Sequence, residues 1–107
     1  MTKSFNHLLA ATSLVAFGLF GSSVALANPD LAKAKNCASC HSVEKGILGP
    51  SYQAVAQKYA NDKNAVSKLT EKVMAGGVGV WGKIPMPANP QVSKDEAEVL
   101  VKWILSL

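Results

Sequence analysis

Between positions 52 and 104, apolar residues recur with helical spacing. Three sets of apolar residues follow all or part of the series i, i+3, i+4, i+7: Tyr52, Val55, Ala56 and Tyr59; Val66, Leu69 and Val73; and Ala97, Leu100, Val101 and Ile104. Such spacing places each set on one face of an α-helix. No run alternates apolar and polar residues as a half-buried strand does. The pattern predicts an all-α fold.

Polar residues and glycines predict where the helices begin and end. Asn28-Pro29-Asp30 favours the start of a first helix that runs into Cys37. Ser51 is placed to cap the second helix, and Gly76-Gly77 is a glycine stop for the third. Residues 93–96 form a capping-box sequence before the last helix. The prediction is therefore about four short helices.

A long segment without helical pattern separates the last two predicted helices. Residues 76–92 contain four glycines before position 83 and three prolines after position 84. Glycine and proline at this density exclude a helix or a central strand. Because so long a loop is uncommon in a small domain, it is predicted to be functional.

The first residues have the pattern of a secretory signal. Lys3 gives a positive start, Leu8 to Phe20 is an apolar run, and Ala25-Leu26-Ala27 is a small-x-small cleavage pattern. An uncleaved membrane anchor is the alternative, but the run is short of the roughly 20 residues that a span needs. We therefore expect removal of residues 1–27, export by the general route to the periplasm, and one domain over residues 28–107.

Composition and charge limit the function classes. The whole chain has a net charge of +4, and the charge falls by one when Lys3 leaves with the signal. This mild lysine excess favours electrostatic steering toward an acidic protein partner. It is too small and too dispersed to indicate nucleic-acid binding. A domain this small usually needs a staple or a cofactor to complete its core.

The chemistry-bearing motif is Cys37-Ala38-Ser39-Cys40-His41, which has the form C-x-x-C-H. Its two thiols have the spacing that attaches a haem through two thioethers, and the adjacent imidazole can reach the iron. A zinc site, a redox dithiol and a small-loop disulfide are the alternatives. A closed zinc site needs four ligands, and these are the only cysteines in the chain.

A second iron ligand is expected from a methionine. After processing His41 is the only histidine, so a second imidazole from the chain is excluded. Met86 lies between Pro85 and Pro87, whose rings restrict the backbone and suit a weak sulfur ligand. Met74 is the alternative, although its position beside Val73 favours core filling. An iron left open or water-bound is the other possibility. His/Met ligation fills both axial positions, which suits an electron carrier more than a catalyst.

Four fragments together resemble the small single-haem class I cytochromes c of bacteria, the cytochrome c-551 group: CASCH, ILGPSY, GVGVWGKIPMPAN and DEAEVLVKWIL. The resemblance implies the cytochrome c fold, with helices wrapped around one covalently bound haem c. It also implies a soluble periplasmic electron carrier, with no membrane attachment after signal cleavage. Because both axial positions are expected to be filled, the protein is predicted not to be an enzyme, and nothing in the sequence indicates more than a monomer. Carriers of this group deliver electrons to periplasmic reductases, notably nitrite reductase, or to terminal oxidases.

The resemblance also assigns the residues nearest the iron. Cys37 and Cys40 match the thioether cysteines, and His41 and Met86 match the axial pair. Pro50 matches the residue whose carbonyl accepts the Nδ1–H of the axial histidine. A plain turn residue is the alternative role for Pro50.

Three more residues receive roles only from the resemblance. Asn89 is similar to the amide that contacts the ligand sulfur, and Trp81 to an indole that donates to a haem propionate. Lys72 stands where the group often has an arginine toward the propionates, so that contact is less well supported. The alternatives are a core role for Trp81 and a solvated helix charge for Lys72. Pro90-Gln91 contains one extra residue before the last helix, so the local loop differs from the group.

Overall fold

Four α-helices make up the regular structure of this computed structural model, which describes residues 28–107 and, outside them, Gly18 alone. Their bounds are as follows: α1 Asn28–Ala34, α2 Tyr52–Lys58, α3 Ala65–Ala75 and α4 Lys94–Leu105. The described residues form two isolated bridges and no strand, so the all-α prediction is confirmed. The predicted signal lies outside the described residues. None of the described helices has the length and apolar character needed to cross a membrane.

The first helix is shorter than predicted. It ends at Ala34 instead of reaching Cys37, and the chain enters a 3-10 turn over Cys37–Ser39. Asn36 causes the break, because its φ of 66° is in the left-handed region, which stops an α-helix. Asparagine tolerates this conformation better than most residues. The cysteine motif therefore sits in a tight turn beyond the helix.

The other helix ends agree with the prediction. The Ser51 hydroxyl accepts a hydrogen bond from the Ala54 amide at 3.1 Å, so it caps α2. At α4, Ser93 Oγ accepts from the Glu96 amide, and Glu96 Oε1 accepts from the Ser93 amide. Gly76 ends α3 with a φ of 73°. These caps satisfy backbone groups that a helix end leaves without partners.

Helix α4 is the central element of the fold, because it packs against each of the other three helices. Its Ala97, Leu100 and Val101 are at most 1% exposed. Leu31 and Ala32 of α1 and Val92 of the loop complete a core cluster with Ala97 and Leu100. The partly buried side chains of Cys37, Val73 and Trp103 pack against this cluster. The core therefore joins the cysteine turn to α3 and α4.

The prediction that Met74 fills the core was wrong. Its side chain is 37% exposed and lines a hollow on α3 that is separate from the core, whereas the preceding residue, Val73, packs against the core. Successive residues of a helix point about a quarter-turn apart, so only one of the two can face α4.

The long loop folds back on itself. Gly77 and Met86 exchange two backbone hydrogen bonds, with N–O distances of 3.0 and 2.8 Å. Further along, the backbone N–H of Asn89 donates to the Met74 carbonyl at 3.2 Å, which ties the loop to the end of α3. The segment around Met86 is therefore held at both ends although it has no regular secondary structure.

Candidate haem-binding site

A cavity of about 550 Å³, called here the central cavity, lies between the cysteine turn, the helices and the long loop. Its volume is within the range of ligand pockets, about 300–1,000 Å³. Its wall is mostly apolar. Seven of the eight predicted site residues line it: Cys37, Cys40, His41, Pro50, Lys72, Trp81 and Met86. The fold thus brings together residues that are up to 49 positions apart in the sequence, from Cys37 to Met86.

The cysteine turn presents two thiols and an imidazole to the same cavity. The amides of Cys40 and His41 both donate to the Cys37 carbonyl, at 3.1 and 3.0 Å, and this closes the turn. The two thiols are free and not joined to each other. Burial raises the pKa of the Cys37 thiol, which keeps it protonated at neutral pH.

His41 is oriented by a backbone carbonyl. Its Nδ1 lies 2.7 Å from the Pro50 oxygen. Since a carbonyl only accepts, Nδ1 carries a proton, and in the neutral imidazole the lone pair that can bind a metal is then on Nε2. This is the hydrogen bond that the resemblance implies, and it is the usual way in which proteins fix a metal-binding imidazole.

Two neighbours hold the His41 ring from its sides. The ring stacks on Tyr52, with centroids 5.6 Å apart and planes inclined by 24°. On another side lies Gly49, where an added Cβ would come within 3.0 Å of Nε2. Only a glycine fits there, because any side chain would press on the ring.

Met86 is fixed through its backbone. Besides the paired hydrogen bonds with Gly77, its carbonyl lies so close to Gly76 that a Cβ on Gly76 would be 2.7 Å from the Ala88 nitrogen and closer still to the Met86 oxygen. Pro85 and Pro87 restrict the φ and ψ angles on both sides. The thioether therefore enters the cavity wall from a backbone with little freedom.

Trp81 and Lys72 lie on the cavity wall with exposed, charged surroundings. Trp81 is 48% exposed, and the Lys58 ammonium lies over its ring, 5.4 Å from the centroid. Such a contact is a cation–π interaction. The Lys72 side chain extends across Gly77, where an added Cβ would come within 3.3 Å of its Cδ and Cε. Both residues are therefore available to the polar edge of a bound molecule.

Asn89 is the one predicted site residue outside the cavity wall. Its amide nitrogen donates to the Val73 carbonyl at 2.8 Å and to the Pro87 carbonyl at 3.3 Å. Both of its N–H groups are thus used on backbone, and the side chain ties the loop to α3. Its predicted contact with the Met86 sulfur stays a prediction.

Several residues that shape the site have no functional signal in the sequence. Tyr52, which the sequence places only on the apolar face of a helix, lines the cavity, and its buried Oη has no hydrogen-bond partner among the described residues. Burial raises its pKa to about 12. From the sequence, Gly76 is expected only to stop a helix, and Gly49 has no predicted contact with His41. Their tight contacts with His41 and Met86 depend on tertiary structure, so no local signal reveals them.

The donor set fits a haem better than a metal ion alone. Thiols for attachment, an oriented imidazole and a thioether all reach one apolar cavity, which is the chemistry that a c-type haem requires. Within residues 28–107, no three His, Cys, Asp or Glu side chains group as ligands of a single metal ion. The zinc alternative therefore gains no support. Fold and site define a small α-helical haem protein.

Comparison with known proteins agrees with this class. The cytochrome c family model matches residues 29–107. Cytochrome c2 of Rhodocyclus tenuis is 56% identical over 82 residues, which is 72% of this chain and 88% of that protein. Cytochrome c-552 of Nitrosomonas europaea is 43% identical over 107 residues, covering 100% of this chain and 99% of that protein.

The fold is likewise similar to a solved structure. The crystal structure of wild-type Nitrosomonas europaea cytochrome c552 superposes with a TM-score of 0.73 at 47% identity, covering 74% of this chain and 98% of that one. The chain belongs to the cytochrome c family. It is an electron-transport protein with the cytochrome c fold, and its cofactor is one covalently bound haem c.

Proposed function

We propose that this protein is a soluble periplasmic carrier that passes single electrons through a haem c ligated by His41 and Met86, and that it is not an enzyme. The observation that supports this most is the shared cavity wall: His41, Met86 and both cysteines line one apolar cavity. The bound haem supplies the reversible one-electron change.

Attachment and ligation are divided between two segments. Cys37 and Cys40 provide the thioether bonds, so the cofactor cannot be lost. His41 provides its Nε2 to the iron, and the hydrogen bond from Nδ1–H to the Pro50 carbonyl orients the ring so that Nε2 is the nitrogen left for the metal. Met86 provides a soft sulfur that favours ferrous iron and raises the potential relative to two imidazoles.

The polar edge of the haem is assigned to two residues of the wall. Trp81 donates its indole N–H to a propionate, and the Lys58 ammonium over its ring holds the indole in place. Lys72 provides a positive charge to the propionates. Both assignments rest on the family's roles together with the position of these residues at the cavity.

Electron transfer needs brief contact with partners. We propose that the haem edge near Cys37, Ala38, Pro87 and Ala88 is the docking surface, because Ala38, Pro87 and Ala88 are exposed and lie on the two segments that hold the iron. Lysines around it would steer an acidic partner, and the contact would bury less than about 1,200 Å². The expected partners are a respiratory reductase, such as nitrite reductase, or a terminal oxidase, and the carrier acts as a monomer.

The location follows from the predicted leader. Residues 1–27 direct export and are removed, so that the domain begins at Asn28. N-terminal sequencing of protein from the periplasmic fraction is expected to begin at Asn28. Recovery in the cytoplasm with Met1 retained would contradict this.

Carbon monoxide tests the carrier proposal against an open iron. In a carrier both axial positions are filled, so the reduced protein is expected to bind carbon monoxide poorly at neutral pH, while a Met86→Ala variant binds it readily. Met74→Ala is the matched control and is expected to behave as the wild type. Rapid and complete binding by the wild type would instead indicate a gas sensor or an enzyme.

A further inference from the structure

Gln91 is at the centre of a hydrogen-bond network that the roles above do not use. Its side-chain Nε2 donates to the Lys35 carbonyl and to Asn89 Oδ1, both at 3.1 Å. The backbone carbonyl of Gln91 accepts a hydrogen bond from Lys35 Nζ at 3.0 Å. Gln91 and Lys35 thus make a reciprocal pair between positions 56 residues apart.

The network meets three elements at one point. The Lys35 carbonyl lies just past the last residue of α1, where carbonyls need partners from outside the helix. Lys35 Nζ also forms an ion pair with Glu96 Oε2 at 3.0 Å, and Glu96 belongs to the capping box of α4. The end of α1, the long loop and the start of α4 are therefore joined by Lys35, Gln91 and Glu96.

The bond from Gln91 to Asn89 fixes the orientation of the Asn89 side-chain amide. An amide side chain can be turned over, which exchanges its donor and acceptor ends. Because Gln91 donates to Asn89 Oδ1, the Nδ2 end of Asn89 must face Val73 and Pro87. The bond to the Val73 carbonyl ties the loop just after Met86 to α3, and the bond to the Pro87 carbonyl holds the loop to itself.

We infer that Gln91 is a positioning residue: by bonding Lys35 two residues before Cys37 and Asn89 three residues after Met86, it sets the distance between the haem-attachment turn and the methionine loop. Gln91 belongs to Pro90-Gln91, where the resemblance to the cytochrome c-551 group implies one extra residue before α4. The inference rests on the proposed function, because it assigns Gln91 a part in holding the thioether at the iron.

Haem-loaded variants test the inference. Gln91→Ala removes both donated bonds, and Gln91→Glu keeps the size of the side chain but cannot donate to either oxygen. We expect both variants to increase amide hydrogen exchange of residues 86–92 by about tenfold, as the loss of two exposed hydrogen bonds predicts. We also expect a lower midpoint potential and a shift of the Met86 methyl resonance in the reduced protein.

Two control variants separate positioning from stability. Lys35→Met removes the ammonium and its bond to the Gln91 backbone but keeps the carbonyl that the Gln91 side chain binds, so it is expected to lower thermal stability and to shift the potential and the methyl resonance less than Gln91→Ala does. Gln57→Ala removes an exposed glutamine whose side chain makes no hydrogen bond within residues 28–107, and should change none of these quantities.

A double variant tests the route through Asn89. In an Asn89→Ala background, Gln91→Ala is expected to cause no further change in potential. Wild-type potential and exchange in both Gln91 variants would overturn the inference, as would equal shifts in Lys35→Met. If the Met86 methyl resonance of the reduced wild-type protein is not displaced as that of a haem ligand is, the proposed His/Met ligation is wrong instead. The hydrogen-exchange result of the Gln91 variants then decides whether Gln91 positions the loop.

Discussion

At the scale of single residues, the site depends on how closely backbone and side chain approach His41. One carbonyl holds Nδ1, one aromatic ring lies against a face, and one glycine leaves room for the edge. The three contacts act together, because a ring that turns away from Pro50 must also move against Tyr52 or Gly49. An imidazole held in this way reaches a metal without further rearrangement, which lowers the cost of ligation.

Gly49→Ala is expected to disturb this arrangement. The added Cβ would lie within 3.0 Å of the His41 Nε2, so the ring has to move and its bond to Pro50 weakens. Overpacking of this kind costs about 1–3 kcal/mol in the free energy of unfolding. Denaturant unfolding of the haem-loaded protein measures the loss, and the midpoint potential reports the change at the iron.

Gly46→Ala is the matched control for this change. Its nearest atom would be the Gly49 oxygen at 3.8 Å, an ordinary contact. The expected effect is below about 0.5 kcal/mol, as for most surface substitutions. Equal effects of the two alanines would mean that the space around His41 is not what matters.

At the scale of elements, α4 positions the other helices that line the central cavity. It contacts all other helices, and its buried face contributes Leu100 and Val101 to the cavity as well as to the core. Its first turn is fixed by the capping box and by the ion pair of Glu96 with Lys35. Loss of that first turn would therefore loosen both the core and the end of the methionine loop.

The stability that Glu96 provides is expected to depend on pH. The Ser93 amide and Lys35 hold the pKa of Glu96 below its usual value of 4.5. A carboxylate with a lowered pKa in the folded state stabilises fully above its unfolded value, and this contribution is lost as the pH falls through the folded value. The stability difference between wild type and Glu96→Gln should thus be largest near neutral pH and shrink below about pH 4.5.

Denaturant titrations at several pH values measure this difference. Glu98→Gln is the control, because Glu98 forms only an exposed pair with Lys102 one helical turn away, and its effect should be small throughout. A Glu96→Gln difference that stays constant down to pH 3 would contradict the role given to the Glu96 charge.

Most elements could be predicted from the sequence, because caps and helical spacing are local signals. The capping box at Ser93, the Ser51 cap and the Gly76 stop all lie where the residue types indicate. The end of α1 was predicted three residues too late, because asparagine tolerates the left-handed conformation without requiring it, so the residue type at position 36 does not fix the break.

The site was predictable in its main members and not in their supports. The spacing of C-x-x-C-H and the prolines around Met86 singled out the residues that the cavity brings together. The position of Asn89 outside the wall, the fit of Gly49 against His41 and the bonds of Gln91 to Lys35 all depend on long-range packing. Such contacts have no pattern along the chain.

At the scale of the whole molecule, charge bears on how the carrier meets its partners. Lys72 and Lys83 line the central cavity, so part of the lysine excess lies where the haem would be reached. Attraction between opposite charges speeds encounter and weakens as salt screens it. The association rate with an acidic redox partner is therefore expected to fall as ionic strength rises.

Lys83→Gln is expected to lower that association rate about twofold at low salt and to have little effect at high salt. Lys63→Gln makes the same change of charge at the hollow that Met74 lines, away from the central cavity, and should have a smaller effect on the association rate. Stopped-flow electron transfer at several salt concentrations measures both. Rates indifferent to salt, or equal losses in the two variants, would contradict steering by the lysines at the cavity.

Covalent attachment of a haem at Cys37 and Cys40 is the central claim, and intact mass together with a pyridine haemochrome spectrum tests it most directly. The protein is purified from the periplasm of cells that can mature c-type cytochromes. We expect the mass of residues 28–107 plus one haem, the spectrum of a haem with two thioether bonds, and no cysteine that an alkylating reagent can modify after denaturation. A colourless protein with the mass of the bare chain and two modifiable thiols would contradict the account.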